Sequence, residues 1–227
     1  MSDENARPAF YALRPGGWRD YVTLLHPPYT VWHLSYVALG AGLAPRMKWG
    51  LLGWTELAFL LAMGIGAHAL DELNGRPLQT RIPGGTLVGL ATASVAAACA
   101  IGLVVASRTS WWLLVFIVSG AFIVVAYNLE LFNGAFHGDL WFAGAWGAFP
   151  VLTAYFASAQ TLRIEAVLAA TFAFLASLAQ RALSTPVRAA RRRGGDPAAA
   201  RPAEIALKLL ALAMPLLAGA LLAARSG

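Results

Sequence analysis

Long apolar runs alternate with short polar connections along this chain. A helix needs roughly 20 apolar residues to cross a hydrocarbon core of about 30 Å. Runs approaching that length occupy 29–45, 50–72, 84–107, 110–132, 138–160, 164–185 and 204–224. The pattern predicts an all-α, polytopic transmembrane helix bundle of about seven helices, forming one domain over 29–227. The first run is the shortest and carries His33 and Ser35. Before it, WRDYVTLLHPPYT has an apolar face and several aromatic residues, and reads as an interfacial approach interrupted by Pro27 and Pro28. Residues 1–28 are therefore expected to be an N-terminal segment outside the bundle. Their extreme end has no apolar stretch of its own, so it is not expected to be a cleavable signal peptide.

Composition strengthens the membrane reading. Of 227 residues, 59% are hydrophobic and only 12% charged, which is too apolar for an ordinary soluble domain. Small residues crowd several runs, as in ATASVAAACA, and small faces let membrane helices pack closely. The net charge of +6 resides largely in the connections, so anionic lipid headgroups account for it and a nucleic-acid partner is not expected. A single cysteine, Cys99, excludes a disulfide framework.

Charge also chooses an orientation. With seven spans, the N-terminal side carries most of the arginines, including Arg76, Arg81, Arg181 and the cluster at 188–193. The other side holds Arg46, Lys48, Arg108, Arg163 and Arg225. The excess of Lys and Arg on cytoplasmic loops puts the N-terminus in the cytoplasm, in a cell inner membrane. The groups capable of chemistry, among them His68, Asp71, Glu72, Glu130, His137 and Asp139, fall on that same side. A site, if present, is expected to open there.

The second run ends in GAHALDELNGRPLQTRIP (66–83). Helical positions i, i+3 and i+4 share a face, so His68, Asp71 and Glu72 can point together into the bundle. Carboxylates at that depth are costly unless they pair, meet water or bind a cation. Asn74-Gly75 then reads as a helix C-cap, and Arg76 and Arg81 flank a turn able to hold an anion. The plainer alternative is that both acids simply end a helix at the interface and pair with Arg76. The fourth run ends in an echo: AHALDELNG (67–75) lies over AYNLELFNG (126–134), which sets Glu130 at the place of Asp71. Paired carboxylates between repeats could hold Mg²⁺, a cation commonly bound by one or two carboxylates plus substrate phosphates; chance similarity in an apolar sequence is the alternative. The sixth run ends in LAQRALSTPVRAARRRGGD, where Gln180 and Arg181 stand in place of an acid. Arg181 and Arg188 could contact phosphate, while Arg191, Arg192 and Arg193 read most simply as topology determinants on anionic lipid. His26, His33 and His137 are scattered in sequence.

Residues 66–83 resemble the first aspartate-rich motif of the UbiA superfamily of intramembrane prenyltransferases, in which Asn-Asp-x-x-Asp-x-x-x-Asp leads into Arg-Pro. Here His68 takes the first aspartate's place, Asp71 keeps the second, Gly75 takes the third, and Arg76-Pro77-Leu78-Gln79-Thr80 matches the Arg-Pro stretch. LLHPPYTVWHLSYVALGAGLAP resembles the family's first helix, with His26 before Pro27 where an arginine is usual. Tyr127 to Gly147 is similar to the tyrosine-containing end of the fourth helix and the Gly-rich fifth. The resemblance covers most of residues 20–155, but the second acidic motif is absent.

The resemblance implies a UbiA-like bundle that transfers a prenyl group from a polyprenyl diphosphate to a lipid-soluble acceptor. Asp71, Glu72 and Glu130 would hold Mg²⁺, Arg76, Arg81 and Arg181 would clamp the diphosphate, and Tyr127 and His68 would orient the acceptor. The alternative is a non-catalytic bundle of the same descent that binds an isoprenoid lipid or quinone, or serves as a subunit of a membrane complex.

Overall fold

A computed structural model describes residues 7–193 and 197–226. Residues 1–6 of the expected N-terminal segment, and the side chains of Arg192 and Arg193, lie outside what is described. The described residues are helical, with no strand among them. The elements are α1 (Trp18–Leu24), α2 (Pro27–Leu43), α3 (Trp49–Leu73), α4 (Gly84–Arg108), α5 (Leu113–Asn128), α6 (Asp139–Ala159), α7 (Ile164–Arg193) and α8 (Pro197–Ala224). Five of them, α3, α4, α6, α7 and α8, are long and apolar enough to cross a membrane, so the chain is an integral membrane protein. Helix α5 is apolar but has 16 residues, and α2 has 17.

Sequence chemistry explains the helix boundaries. His26 turns left-handed (φ 47°) to end the α1 approach, and Pro27 and Pro28 then start α2, where their missing N–H groups cost nothing. Helix α3 ends as its sequence predicts: Asn74 caps it, with its N–H donated to Leu70 O at 3.0 Å, and Gly75 follows at φ 94°. Six of the tryptophans, for example Trp111 and Trp112, are exposed near helix ends, as an interfacial belt requires. Trp32 and Trp146 depart from the belt and are buried.

Helix α2 lies at the centre, between α6 and α8. Trp32 and Tyr36 are fully buried and joined by a 2.6 Å hydrogen bond from Trp32 Nε1 to Tyr36 Oη. Their cluster includes Val151, Ala173 and Met214. By contrast α4 and α8 each bury only 17% of their most apolar window, which leaves their outer faces for lipid. Without a hydrophobic drive between helices in lipid, close van der Waals packing carries the assembly. Two glycines show how close. A Cβ on Gly40 would stand 2.3 Å from Val151 O where α2 crosses α6, and one on Gly147 would stand 2.5 Å from Ala173 O where α6 meets α7. Gly40→Ala is expected to destabilise the bundle by about 1–3 kcal/mol through overpacking. Gly50, with open space around it, is the control: thermal unfolding in detergent should move for Gly40→Ala and stay put for Gly50→Ala.

Two stretches of π-helix interrupt the spans, Leu60–Ala67 within α3 and Gly144–Ala148 within α6. The wider turn changes the rotation of the residues that follow, and such stretches gather at functional sites. Here one immediately precedes His68 and the other contains Trp146.

Candidate functional site

At the end of the bundle where α3 and α5 stop and α2 and α6 begin, a cavity of about 570 Å³ opens. Its walls come from the last turns of α3 and α5, the first turns of α2 and α6, and one face of α7. The N-terminal segment contributes Phe10 and Tyr11 as a partial roof. Their rings meet Tyr29 edge-on at 6.1 and 5.5 Å, and Lys208 Nζ stands 5.1 Å from the Phe10 centroid. Thr23 Oγ1 accepts the Leu13 N–H at 3.0 Å and ties the segment to α1.

Of the residues expected at a site, His68, Asp71, Tyr127, Glu130 and Arg181 line this cavity. Glu72, Arg76 and Arg81 do not. Consecutive helical residues are about 100° apart, so Asp71 and Glu72 face different surroundings. Glu72 is fully buried against the returning loop, where Oε2 accepts the Leu78 N–H at 2.9 Å and Oε1 accepts the Thr80 N–H at 2.8 Å and its hydroxyl at 2.9 Å. Arg76, left-handed at φ 53°, donates to Ile82 O at 2.6 Å and Thr80 O at 3.3 Å. Arg81 is exposed, and its backbone N–H donates to Asp20 Oδ2 at 2.9 Å. Loop closure occupies these three residues.

The echo between the two helix ends is one of sequence and not of geometry. Asp71 is helical, whereas Glu130 lies beyond the end of α5 in a left-handed conformation (φ 50°), as do Phe132 and Asn133. Glu130 is exposed at the cavity rim. The two ends do touch, through the Asn74 side-chain amide donated to Asn128 O at 3.2 Å.

Histidines that are scattered in sequence converge. His26, His33, His68 and His137 all line the cavity. His26 and His68 stack at 4.0 Å between centroids. Burial, with His68 and Arg188 nearby, pushes the His26 pKa well below the ordinary imidazole range, so this ring stays neutral. Burial likewise raises the Tyr11 phenol above it. Nδ1 of His68, His33 and His137 contacts the backbone carbonyls of Gly64, Trp146 and Tyr127 at 3.0, 2.8 and 2.9 Å. In a neutral ring that contact places the proton on Nδ1 and leaves Nε2 as the basic nitrogen. No local signal in the sequence pointed to this gathering; only the positions of His26 and His33 at the start of α2 hinted at it.

Helix α7 supplies the basic wall, with Arg181 and Arg188 two turns apart beside Gln180 and Ser184. Arg181 Nε donates to Asp139 Oδ1 at 2.8 Å, and its guanidinium lies 5.4 Å from the Phe142 centroid. Asp139 is 68% exposed, so water screens that pair and Arg181 can still offer donors inward.

The carboxylates do not form a cation site. Both oxygens of Glu72 serve the loop, Glu130 is at the rim, and among the described residues no three His, Cys, Asp or Glu side chains group to hold a metal ion. Asp71 is left as the half-buried carboxylate on the cavity wall. This donor set does not fit the Mg²⁺ that the sequence resemblance implies.

A second, apolar cleft of about 120 Å³ runs between α3, α4, α5 and α6, past Cys99, Ile117 and Phe149. Met63 and Trp146 line both the cleft and the polar cavity. No protein-family model, curated protein or solved structure matches this chain.

Proposed function

We propose that the chain is a UbiA-like bundle of about seven membrane spans, with its N-terminus in the cytoplasm, that transfers a prenyl group from a polyprenyl diphosphate to a lipid-soluble acceptor. One observation carries this reading. A polar cavity bearing Arg181 and Arg188 shares Met63 and Trp146 with an apolar cleft, so a charged head and a hydrocarbon tail find adjoining surroundings.

The reaction needs the carbon–oxygen bond to break with its electron pair leaving on the diphosphate. Arg181 and Arg188 would neutralise that charge through charge-assisted hydrogen bonds, which strengthen where water is excluded. The allylic carbon would bond to the acceptor while the tail stays in the cleft. His68 Nε2 would take the acceptor's proton, since Nδ1 is engaged with Gly64 O. Asp71 lies within electrostatic reach of Arg188 and Arg181 and would hold their guanidiniums in place.

The withdrawal of Glu72 into the loop favours a second reading, a non-catalytic bundle that binds an isoprenoid lipid or quinone within a membrane complex. One experiment separates them. Purified protein is incubated with geranyl, farnesyl or geranylgeranyl diphosphate and a membrane lipid extract, with Mg²⁺ or with chelator, and diphosphate release is followed. Prenyl transfer predicts release that persists in part under chelator and falls at least about tenfold in Arg181→Ala. Saturable binding without release selects the second reading.

A further inference from the structure

Two polar atoms in the cavity wall have no partner. Gln180 and Tyr127 are 3% and 5% exposed, and neither Gln180 Oε1 nor Tyr127 Oη has a hydrogen-bond partner. They come from different helices, α7 and α5, and both line the polar cavity. A buried polar atom left unpaired costs about 1–3 kcal/mol, so two on one cavity mark a place built for something that pairs with them.

The surroundings hold both groups in position. The Tyr127 ring is packed by His137 at 4.5 Å, Trp146 at 5.7 Å and Phe142 at 6.2 Å between centroids. Gln180 lies one helical turn beyond Ser177, whose hydroxyl donates to Tyr36 Oη at 3.4 Å. Arg181, next in sequence, is drawn outward to Asp139. The pair is therefore uncharged and edged by aromatic rings.

We infer that Gln180 and Tyr127 form a subsite for a hydroxyl group carried on an apolar framework. This rests on reading the cavity as a lipid-binding site and adds the chemistry of the second ligand. The amide oxygen of Gln180 only accepts, so its partner must donate; the phenol of Tyr127 can donate, so its partner can accept. A hydroxyl does both. A phosphate oxygen or a quinone carbonyl accepts only, and would leave Gln180 unpaired. If the bundle transfers prenyl groups, this subsite orients the acceptor's hydroxyl beside the arginine wall. If it only binds, the subsite selects a lipid alcohol.

The test compares farnesol with farnesyl methyl ether, which keeps the oxygen and loses the donor, in equilibrium binding to the purified intact chain in nanodiscs. The wild-type protein is expected to bind the alcohol about tenfold more tightly than the ether. That ratio should fall toward one in Gln180→Leu and shrink in Tyr127→Phe, which keeps the packed ring. Equal affinity for alcohol and ether in the wild-type protein, no farnesol binding at all, or a ratio unchanged in both variants overturns the inference. The wild-type comparison needs no variant to fold. Binding of farnesyl diphosphate to Arg181→Ala reports on the anionic-head reading instead, so failure of one is distinguishable from failure of the other.

Discussion

Glu72→Ala is expected to destabilise the protein by about 3–5 kcal/mol, the largest effect of any substitution at this end of the bundle. The side chain is fully buried and accepts three hydrogen bonds from Leu78 and Thr80. Removing it leaves two buried backbone N–H groups without acceptors, and the loop that also carries Arg76 loses its anchor. Gln restores little, because its amide NH₂ would meet an N–H donor. The neighbouring Asp71→Asn should leave stability within about 1 kcal/mol, since Asp71 faces the cavity and makes no such bonds. Chemical denaturation in detergent, with limited proteolysis of residues 74–82, checks both. Equal stability of Glu72→Ala and the wild-type protein would show that the carboxylate does not hold the loop.

Arg181→Ala and Arg188→Ala should each weaken binding of a prenyl diphosphate by roughly tenfold to a hundredfold, with less effect on an uncharged isoprenoid of the same length. Both residues line the polar cavity, and hydrogen bonds to charged groups are among the stronger single contacts. Because Arg181 is partly held outward by Asp139 at 2.8 Å, Asp139→Asn should leave diphosphate binding unchanged or tighten it. Arg81→Ala, at an exposed loop position whose contact is made by the backbone N–H, should change little. Titration at two salt concentrations measures all four. Equal losses for Arg81→Ala and Arg181→Ala would move the anion site away from the α7 wall.

These two outcomes turn on what a linear reading could and could not reach. The GAHALDELNG stretch was correctly legible as a helix ending at Asn74-Gly75, since capping is a local preference written in neighbouring residues. The split between Asp71 and Glu72 was not legible: their shared-face geometry depends on where the loop folds back, and that loop has its own unmet N–H groups. The echo at Glu130 misled for a related reason. Similar residues follow both helices, but α5 ends sooner and its acid takes a left-handed conformation that no pairwise match reveals. The four histidines looked unrelated because proximity across α2, α3 and the segment before α6 has no signature in spacing.

What the sequence by itself determined is the class and the sidedness. Apolar runs of membrane length made helices within a few residues of their expected bounds, because backbone groups in hydrocarbon must bond within the segment. Polar and titratable residues were confined to one end by the cost of burying them in lipid. The tertiary structure alone decided which of those residues meet. Close crossings at Gly40 and Gly147, and π-helical turns before His68 and around Trp146, fix how each helix is rotated about its axis. Rotation selects the face that meets the cavity. It brings Gln180 and Tyr127 to one wall and turns Glu72 away from it, since helix rotation is a property of packing between segments and not of any one of them.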